Sequence, residues 1–406
     1  MSVGLIRRIQ RLGARKVIWS RPRRRPVLLI DPSGIDILTE FVAIEDIEVL
    51  DFEETNIWVF IRTILKLQLS TSAYVVAYIQ MMQPKVAMTF IDNDVNFYKL
   101  KSVCSQTKFV AIQNGVRANY SSSPSSGFFD KLSLAIKDEE LSVDYFCAFG
   151  GAAAAQISQY VQCGPISIGS LKNNLFVSHE NTQTASYDVV LISQYPPFSA
   201  QDEARHIYFG SHAISFTDFY KVEALAAQMI AKYCFEQNLT FAVCGKRERS
   251  SSDEYEFFNQ AIGSLPWTYQ SRTSSNSTYE LSSAAKMIVS IDSTVGQEFL
   301  ARGKRVAVIA ARTKVADSVE LSNRKDTTFG YPLDLPPSGK FWTSEASEPE
   351  LARILDYLRV VTDEEWAAEI APYNEGLMAY QPGNPVFKQL LLELGLTLID
   401  GVKSDA

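Results

Sequence analysis

Residues 287–309 constrain the fold more than any other stretch of this chain. A short apolar run, Met287-Ile-Val-Ser-Ile291, has the β-branched character of a strand buried on both faces. Asp292, Ser293 and Thr294 follow, all residue types that cap helices, and Gly296 permits a close backbone approach to a ligand. The spacing predicts a helix of about two turns from Gln297 to Arg302, stopped by Gly303. A second buried strand is predicted from Arg305 to Ile309. A strand, a hydroxyl-bearing turn and a helix N-terminus direct free N–H groups, hydroxyls and the positive helix end at one point, which suits a phosphate. Glu298, one turn into that helix, is placed to accept hydrogen bonds from a ribose diol. The same spacing also describes an ordinary capped β–α–β unit.

The rest of the chain repeats the alternation. Strands are predicted at 27–31, 47–50, 85–91, 108–112, 143–148 and 165–168, with a helix over 55–81 and an alanine-rich helix after Gly150-Gly151. The Ser-rich stretch 120–127 reads as a surface loop, and the polar, aperiodic stretch 173–186 as a linker. The pattern then restarts, with strands at 188–192, 240–243 and 267–270 and helices at 219–236, 254–262 and 277–285. Closing helices are expected at 346–377 and 385–395. At 406 residues the chain exceeds the usual single-domain size. The predicted class is α/β: two Rossmann-like domains, 27–173 and 187–380, with mostly parallel sheets facing across a cleft. A basic arm, 1–26, precedes them, and a closing helix and tail, 381–406, follow.

Charge is unevenly spread. Residues 1–30 hold nine Arg or Lys and no acid, while the remainder carries 30 basic against 46 acidic side chains. An acidic body argues against nucleic acid as a partner. Residues 1–25, with Leu5, Ile9 and Leu12 on one helical face, are suited either to an anionic membrane surface or to a solvated flank. No 18-residue apolar run occurs, and no secretory h-region opens the sequence. Five scattered cysteines without a Cys-x-x-Cys fit a reducing cytoplasm. The expected location is therefore cytoplasmic, with attachment to the inner face of the membrane if the arm binds there. The three histidines lack metal-ligand spacing, and neither a P-loop nor a Gly-x-Gly-x-x-Gly is present.

Ser293-Thr-Val-Gly-Gln-Glu298, continued by Gly303-Lys-Arg-Val306, resembles the donor-nucleotide segment of GT-B glycosyltransferases. Several further stretches resemble a family of O-antigen or surface-carbohydrate biosynthesis proteins. They are Phe90-Ile-Asp-Asn-Asp-Val-Asn-Phe-Tyr-Lys-Leu100, Ile112-Gln-Asn-Gly115, Ile168-Gly-Ser-Leu-Lys-Asn-Asn174, Cys244-Gly-Lys-Arg247, Ile291-Asp-Ser-Thr294, Phe341-Trp-Thr343 and Asp363-Glu-Glu-Trp366. The resemblance implies a sugar transferase of surface polysaccharide assembly, O-antigen or capsule. It places the nucleotide-sugar donor in the second half and a glycan or lipid-linked glycan acceptor in the first.

On that reading the nucleotide site comprises Lys246, Arg247, Ser293, Thr294, Gly296 and Glu298. Asp92 and Asp94, at a strand end facing the cleft, are the candidates for base or nucleophile, with Asp94 alternatively a helix cap. Gln113 and Asn114 at the neighbouring strand end are expected to meet acceptor hydroxyls. No metal ligand and no cofactor are assigned: basic residues and a helix N-terminus would stabilise the leaving phosphate instead. UDP-, GDP- and CMP-linked donors all stay open. Two other readings remain beside the transferase, a nucleotide-sugar epimerase of the same fold and a non-catalytic sugar-binding subunit.

Overall fold

A computed structural model describes residues 16–67, 70–117, 120–176, 187–195, 205–248, 252–274, 276–312 and 328–399. Strands are β1 (Lys16–Ile18), β2 (Val27–Ile30), β3 (Ile47–Leu50), β4 (Glu54–Asn56), β5 (Val86–Thr89), β6 (Lys108–Ile112), β7 (Tyr120–Ser121), β8 (Ser142–Ala148) and β9 (Gln162–Ser167). They continue as β10 (Tyr187–Ile192), β11 (His206–Phe209), β12 (His212–Ser215), β13 (Phe241–Glu248), β14 (Thr268–Arg272), β15 (Ala285–Ser290), β16 (Val306–Ile309) and β17 (Trp342–Thr343). The helices are α1 (Ile35–Leu38), α2 (Ile57–Leu65), α3 (Thr71–Met82), α4 (Phe128–Ala135), α5 (Gly151–Ile157), α6 (Leu171–Leu175) and α7 (Phe216–Glu236). After these come α8 (Ser252–Ile262), α9 (Ser277–Ser283), α10 (Thr294–Ala301), α11 (Glu348–Val360), α12 (Asp363–Leu377) and α13 (Pro385–Glu393).

Two six-stranded parallel sheets carry the molecule, ordered β3-β2-β5-β6-β8-β9 and β14-β13-β10-β15-β16-β17. Strands buried on both faces explain their unbroken apolar runs. In β2, Leu28 and Ile30 enter the core on one side while Val27 and Leu29 enter the core on the other. The second sheet is buried in a single larger core built on Val189–Ile192, Ile288, Val289 and Val306–Ile309.

The two sheets are tied together in several places. In a third sheet, antiparallel and ordered β12-β11-β7, the first half contributes β7 and the second half β11 and β12. Asn173 and Asn174, in the stretch predicted as linker, are instead buried in α6. Arg302, just after α10, donates from Nε to Asn173 Oδ1 at 2.6 Å and from Nη2 to the Phe176 carbonyl at 2.6 Å. Asn174 fastens the passage from α12 to α13: its Oδ1 accepts from the Gln381 N–H at 3.0 Å, and its Nδ2 donates to Asn384 Oδ1 at 2.8 Å. The passage returns the chain to the first sheet, where Phe387, Leu390 and Leu391 of α13 join the core around Val27, Leu29 and Met88.

Other local predictions change as well, and the helix expected over 346–377 is divided into α11 and α12. The helix expected over 55–81 is divided into β4, α2 and α3, with Leu67 in a left-handed conformation (φ 55°) and the Ser70 hydroxyl capping α3. The stretch read as a loop at 120–127 contains β7. Residues 177–186, most of the predicted linker, and residues 1–15 of the predicted arm lie outside the described residues, as do 400–406 of the predicted tail.

Candidate active site

Carboxyl edges of the two parallel sheets enclose a cleft between the halves. Its wider part, about 760 Å³ and open to solvent, is lined by Val116, Arg117 and Tyr120 from one half and Asp292, Ser293 and Arg312 from the other. A second part of about 480 Å³ shares Arg117, Gln297 and Tyr331 with the first and extends to Asp92 and Gln113.

The helix predicted from 297 begins three residues earlier, at Thr294, and Gly303 stops it with φ 84°. Ser293 is the N-cap residue, but its hydroxyl makes no capping bond, and its side chain lines the cleft instead. Thr294 Oγ1 accepts from the Val116 N–H at 3.2 Å, a bond that joins the two walls. Gly296 serves another purpose than the one expected. A Cβ there would meet Ser290 Oγ at 2.3 Å, so the missing side chain lets α10 lie against β15 rather than admitting a ligand. Glu298 is likewise committed elsewhere: it is buried and accepts from the Tyr279 hydroxyl at 2.6 Å and from Ser170. Burial pushes its carboxyl up, against the pull of those donors and of Lys172 and Arg302. It lines neither part of the cleft.

Asp92 is nine-tenths and more buried, and both its oxygens are occupied. Arg117 grips it with Nε on Oδ2 at 3.0 Å and Nη2 on Oδ1, and the Asn114 N–H donates to Oδ1 at 3.2 Å. Burial raises its carboxyl above the usual range, opposed by Arg117. A carboxylate held in this way positions Arg117, which the sequence did not single out and which lines both parts of the cleft. Gln113 is spent on the loop: its Nε2 donates to the Gly115 carbonyl at 3.0 Å, and its Oε1 accepts from the Phe149 N–H at 2.8 Å. Asn114 is exposed, and its Oδ1 accepts from Arg117 at 2.5 Å.

Asp94 faces a separate cavity of about 700 Å³, within the first half, beside Asp31, Thr71, Thr89 and Asn96. Its Oδ1 accepts from the Asn96 N–H at 3.0 Å, capping a turn that precedes a short 3₁₀ segment, Phe97–Lys99, instead of an α-helix. This cavity lies outside the ends of β2 and β5, where the strand order reverses, the place where open parallel sheets bind ligands. Lys246 is exposed near the end of β13 and lines neither cleft part, and its N–H donates to buried Glu254 at 3.0 Å. Arg247 belongs to the same strand, and its side chain is outside the described residues.

The most highly bonded group in the cleft was not legible beforehand. Arg312 is 4% exposed and donates to Asp292 at 2.6 and 2.8 Å, to Glu223 at 2.7 Å and to the Phe219 carbonyl at 3.0 Å. The rings of Phe219 and Tyr220 lie 4.7 and 5.0 Å from its guanidinium. Glu223 is fully buried, and that burial pushes its carboxyl up to about 7 despite Arg312. Among the described residues no three His, Cys, Asp or Glu side chains gather as a metal site.

Two parallel six-stranded sheets facing across such a cleft define a GT-B-like fold. The model of a family described as "putative O-antigen biosynthesis protein" matches residues 110–394, and the chain belongs to that family. Among solved structures, HepE of Anabaena in complex with UDP is 13% identical, with a TM-score of 0.50 over 90% of this chain and 98% of that one. MnaA of S. aureus with UDP is 12% identical, with a TM-score of 0.49 over 92% and 98%. The wall teichoic acid polymerase TagF is 10% identical, with a TM-score of 0.47 over 92% and 90%. At 13% identity the likeness to HepE is one of fold alone. No curated protein sequence matches the chain.

Proposed function

We propose that this protein is a glycosyltransferase that moves a sugar from a nucleotide-activated donor to a surface-polysaccharide acceptor. One observation carries the reading: the N-terminus of α10, with the uncommitted Ser293 hydroxyl, opens on a cleft that also holds Arg117 and Arg312. Fixed cationic groups and helix N–H donors are what a departing nucleoside diphosphate requires, and they act without a metal ion. Arg117 is pre-oriented by Asp92, and Arg312 by Asp292 and Glu223, so neither must be ordered when donor binds. Family membership supports the surface-glycan acceptor. For the acceptor the Asp31–Asp94 cavity offers two carboxylates beside apolar Phe52 and Ile91, a combination suited to sugar hydroxyls and to the apolar face of a pyranose.

The test is a thermal-shift and calorimetry series with UDP, GDP, CDP, CMP and dTDP and their sugars. One nucleotide class should stabilise the protein, and Ser293→Ala should weaken its binding by ~1 kcal/mol, the worth of one hydrogen bond, with the melting temperature of the free protein unchanged. No stabilisation by any nucleotide, or unaltered affinity in the folded variant, removes this reading. Stabilisation with interconversion of the donor sugar and no transfer to a glycan would assign an epimerase instead.

A further inference from the structure

Exposed apolar side chains are concentrated in one place. Of the seventeen large ones among the described residues, eight lie from Val17 to Leu67. The centre is α2, whose sequence is apolar nearly all round: Val59 and Thr63 are buried, while Trp58, Ile61, Ile64 and Leu65 stand 40–79% exposed. Trp58, Ile61 and Leu65 recur at three and four, so they form one stripe directed at solvent. Leu67 extends it at 90% exposure from a left-handed turn that a glycine or asparagine would occupy without strain. Trp19, 74% exposed, borders the stripe, since its carbonyl accepts from the Trp58 indole N–H at 2.8 Å. Soluble proteins rarely present a contiguous apolar stripe of this kind to water, and one that does occur marks an interaction surface.

The surroundings indicate which partner. Arg21 lies over the Trp58 ring at 4.7 Å, Arg23 and Arg24 are exposed beside it in sequence, Arg62 belongs to the helix itself and Lys66 caps its C-terminus. Within residues 57–67 there is no acidic side chain. Glu54, the closest acid before α2, is paired with Lys16 at 2.6 Å. Tryptophans and leucines framed by arginine and lysine suit the boundary between anionic headgroups and acyl chains, where the rings sit at the interface and the cations meet phosphate. We propose that the α2 face, with Trp19 and its basic rim, docks on an anionic lipid bilayer. The chain runs from this face into α3, whose first residues, Thr71 and Ser72, line the Asp31–Asp94 cavity. Docking therefore sets that cavity beside the lipid surface, whatever the reaction in the cleft proves to be.

Flotation with vesicles tests it, using the full chain at low salt. The protein should float with vesicles of equal parts phosphatidylglycerol and phosphatidylcholine and stay behind with phosphatidylcholine alone. Ile61→Glu combined with Leu65→Glu should weaken partitioning at least ~10-fold, and Arg23→Ala with Arg24→Ala should weaken it and reduce its salt dependence. Both pairs are exposed, so the melting temperature should hold, and a circular-dichroism melt confirms that each variant folds. Three results would overturn the proposal. The intact protein could ignore the anionic vesicles. The glutamate pair could leave binding untouched, which would move the attraction to residues 1–15. Light scattering could show a dimer that the glutamate pair dissolves with lipid binding unaltered, which would make the stripe a face between copies.

Discussion

Glu223 shows how far one side chain's behaviour departs from its sequence context. It is an ordinary-looking acid in α7, yet it is fully buried against Arg312, eighty-nine positions away. Its folded value of about 7 stands above the usual 4.5, so the native state holds this proton more tightly than the unfolded chain does. The stability it contributes is complete below about pH 4.5 and is lost as pH rises through about 7. The pH dependence of stability of the protein and of Glu223→Gln should therefore differ in slope between about pH 4.5 and 7 and run parallel below and above that window. A variant with the same pH dependence as the parent would contradict the assignment. Asp92 yields a different expectation. Because Arg117 depends on it, Asp92→Asn should cost about 3 kcal/mol of stability, as when a buried pair loses one partner. An isolated base would instead lose turnover and keep its melting temperature. The sequence placed Asp92, Gln113 and Ser293 correctly at the strand ends, since apolar runs locate strands. It could not reveal Arg117 or Arg312, whose roles come from partners on other elements.

Among the elements, α10 was the most legible and the most informative in its details. Its strand, turn, helix and stop all follow from local rules, although the helix starts three residues earlier than expected and the strand before it runs Ala285–Ser290 instead of Met287 to Ile291. The role of Gly296 was misread because local pattern cannot tell a ligand from a neighbouring strand. Replacing it with Ala should drive α10 off β15, at a cost of about 1–3 kcal/mol for overpacking, partly offset by up to ~1 kcal/mol of helix propensity. Ser290→Gly in the same chain should restore most of the melting temperature, since Ser290 is the obstructing residue. A Gly296→Ala variant as stable as the parent would show that the strand yields freely. The division between α2 and α3 escaped the sequence for a related reason. Its markers are a leucine in a left-handed turn and a serine cap, with neither Gly nor Pro to announce the break.

At the scale of the whole molecule, the alternation of strands and helices was enough to foresee two parallel sheets and a cleft. The connections between them were hidden, because Asn173, Asn174 and Arg302 acquire their meaning only when distant segments meet. Arg302→Ala removes three charged hydrogen bonds and its stacking on Phe176 and Tyr380, and should cost about 3 kcal/mol. Hydrogen exchange should then quicken first at residues 171–176, and uniform exchange throughout would mean that the two halves do not depend on this contact. The return of α13 to the first sheet also has a bearing on how the protein is made. A ribosome releases the strands from β2 to β9 early, but Phe387, Leu390 and Leu391, which cover Val27, Leu29 and Met88, emerge roughly two hundred residues later. Through that interval this face of the nascent sheet has only the partial cover of Leu38, Phe41, Val42 and Leu171 from its own half, so the order of synthesis leaves an oily surface for chaperones to shield until residues 385–393 arrive.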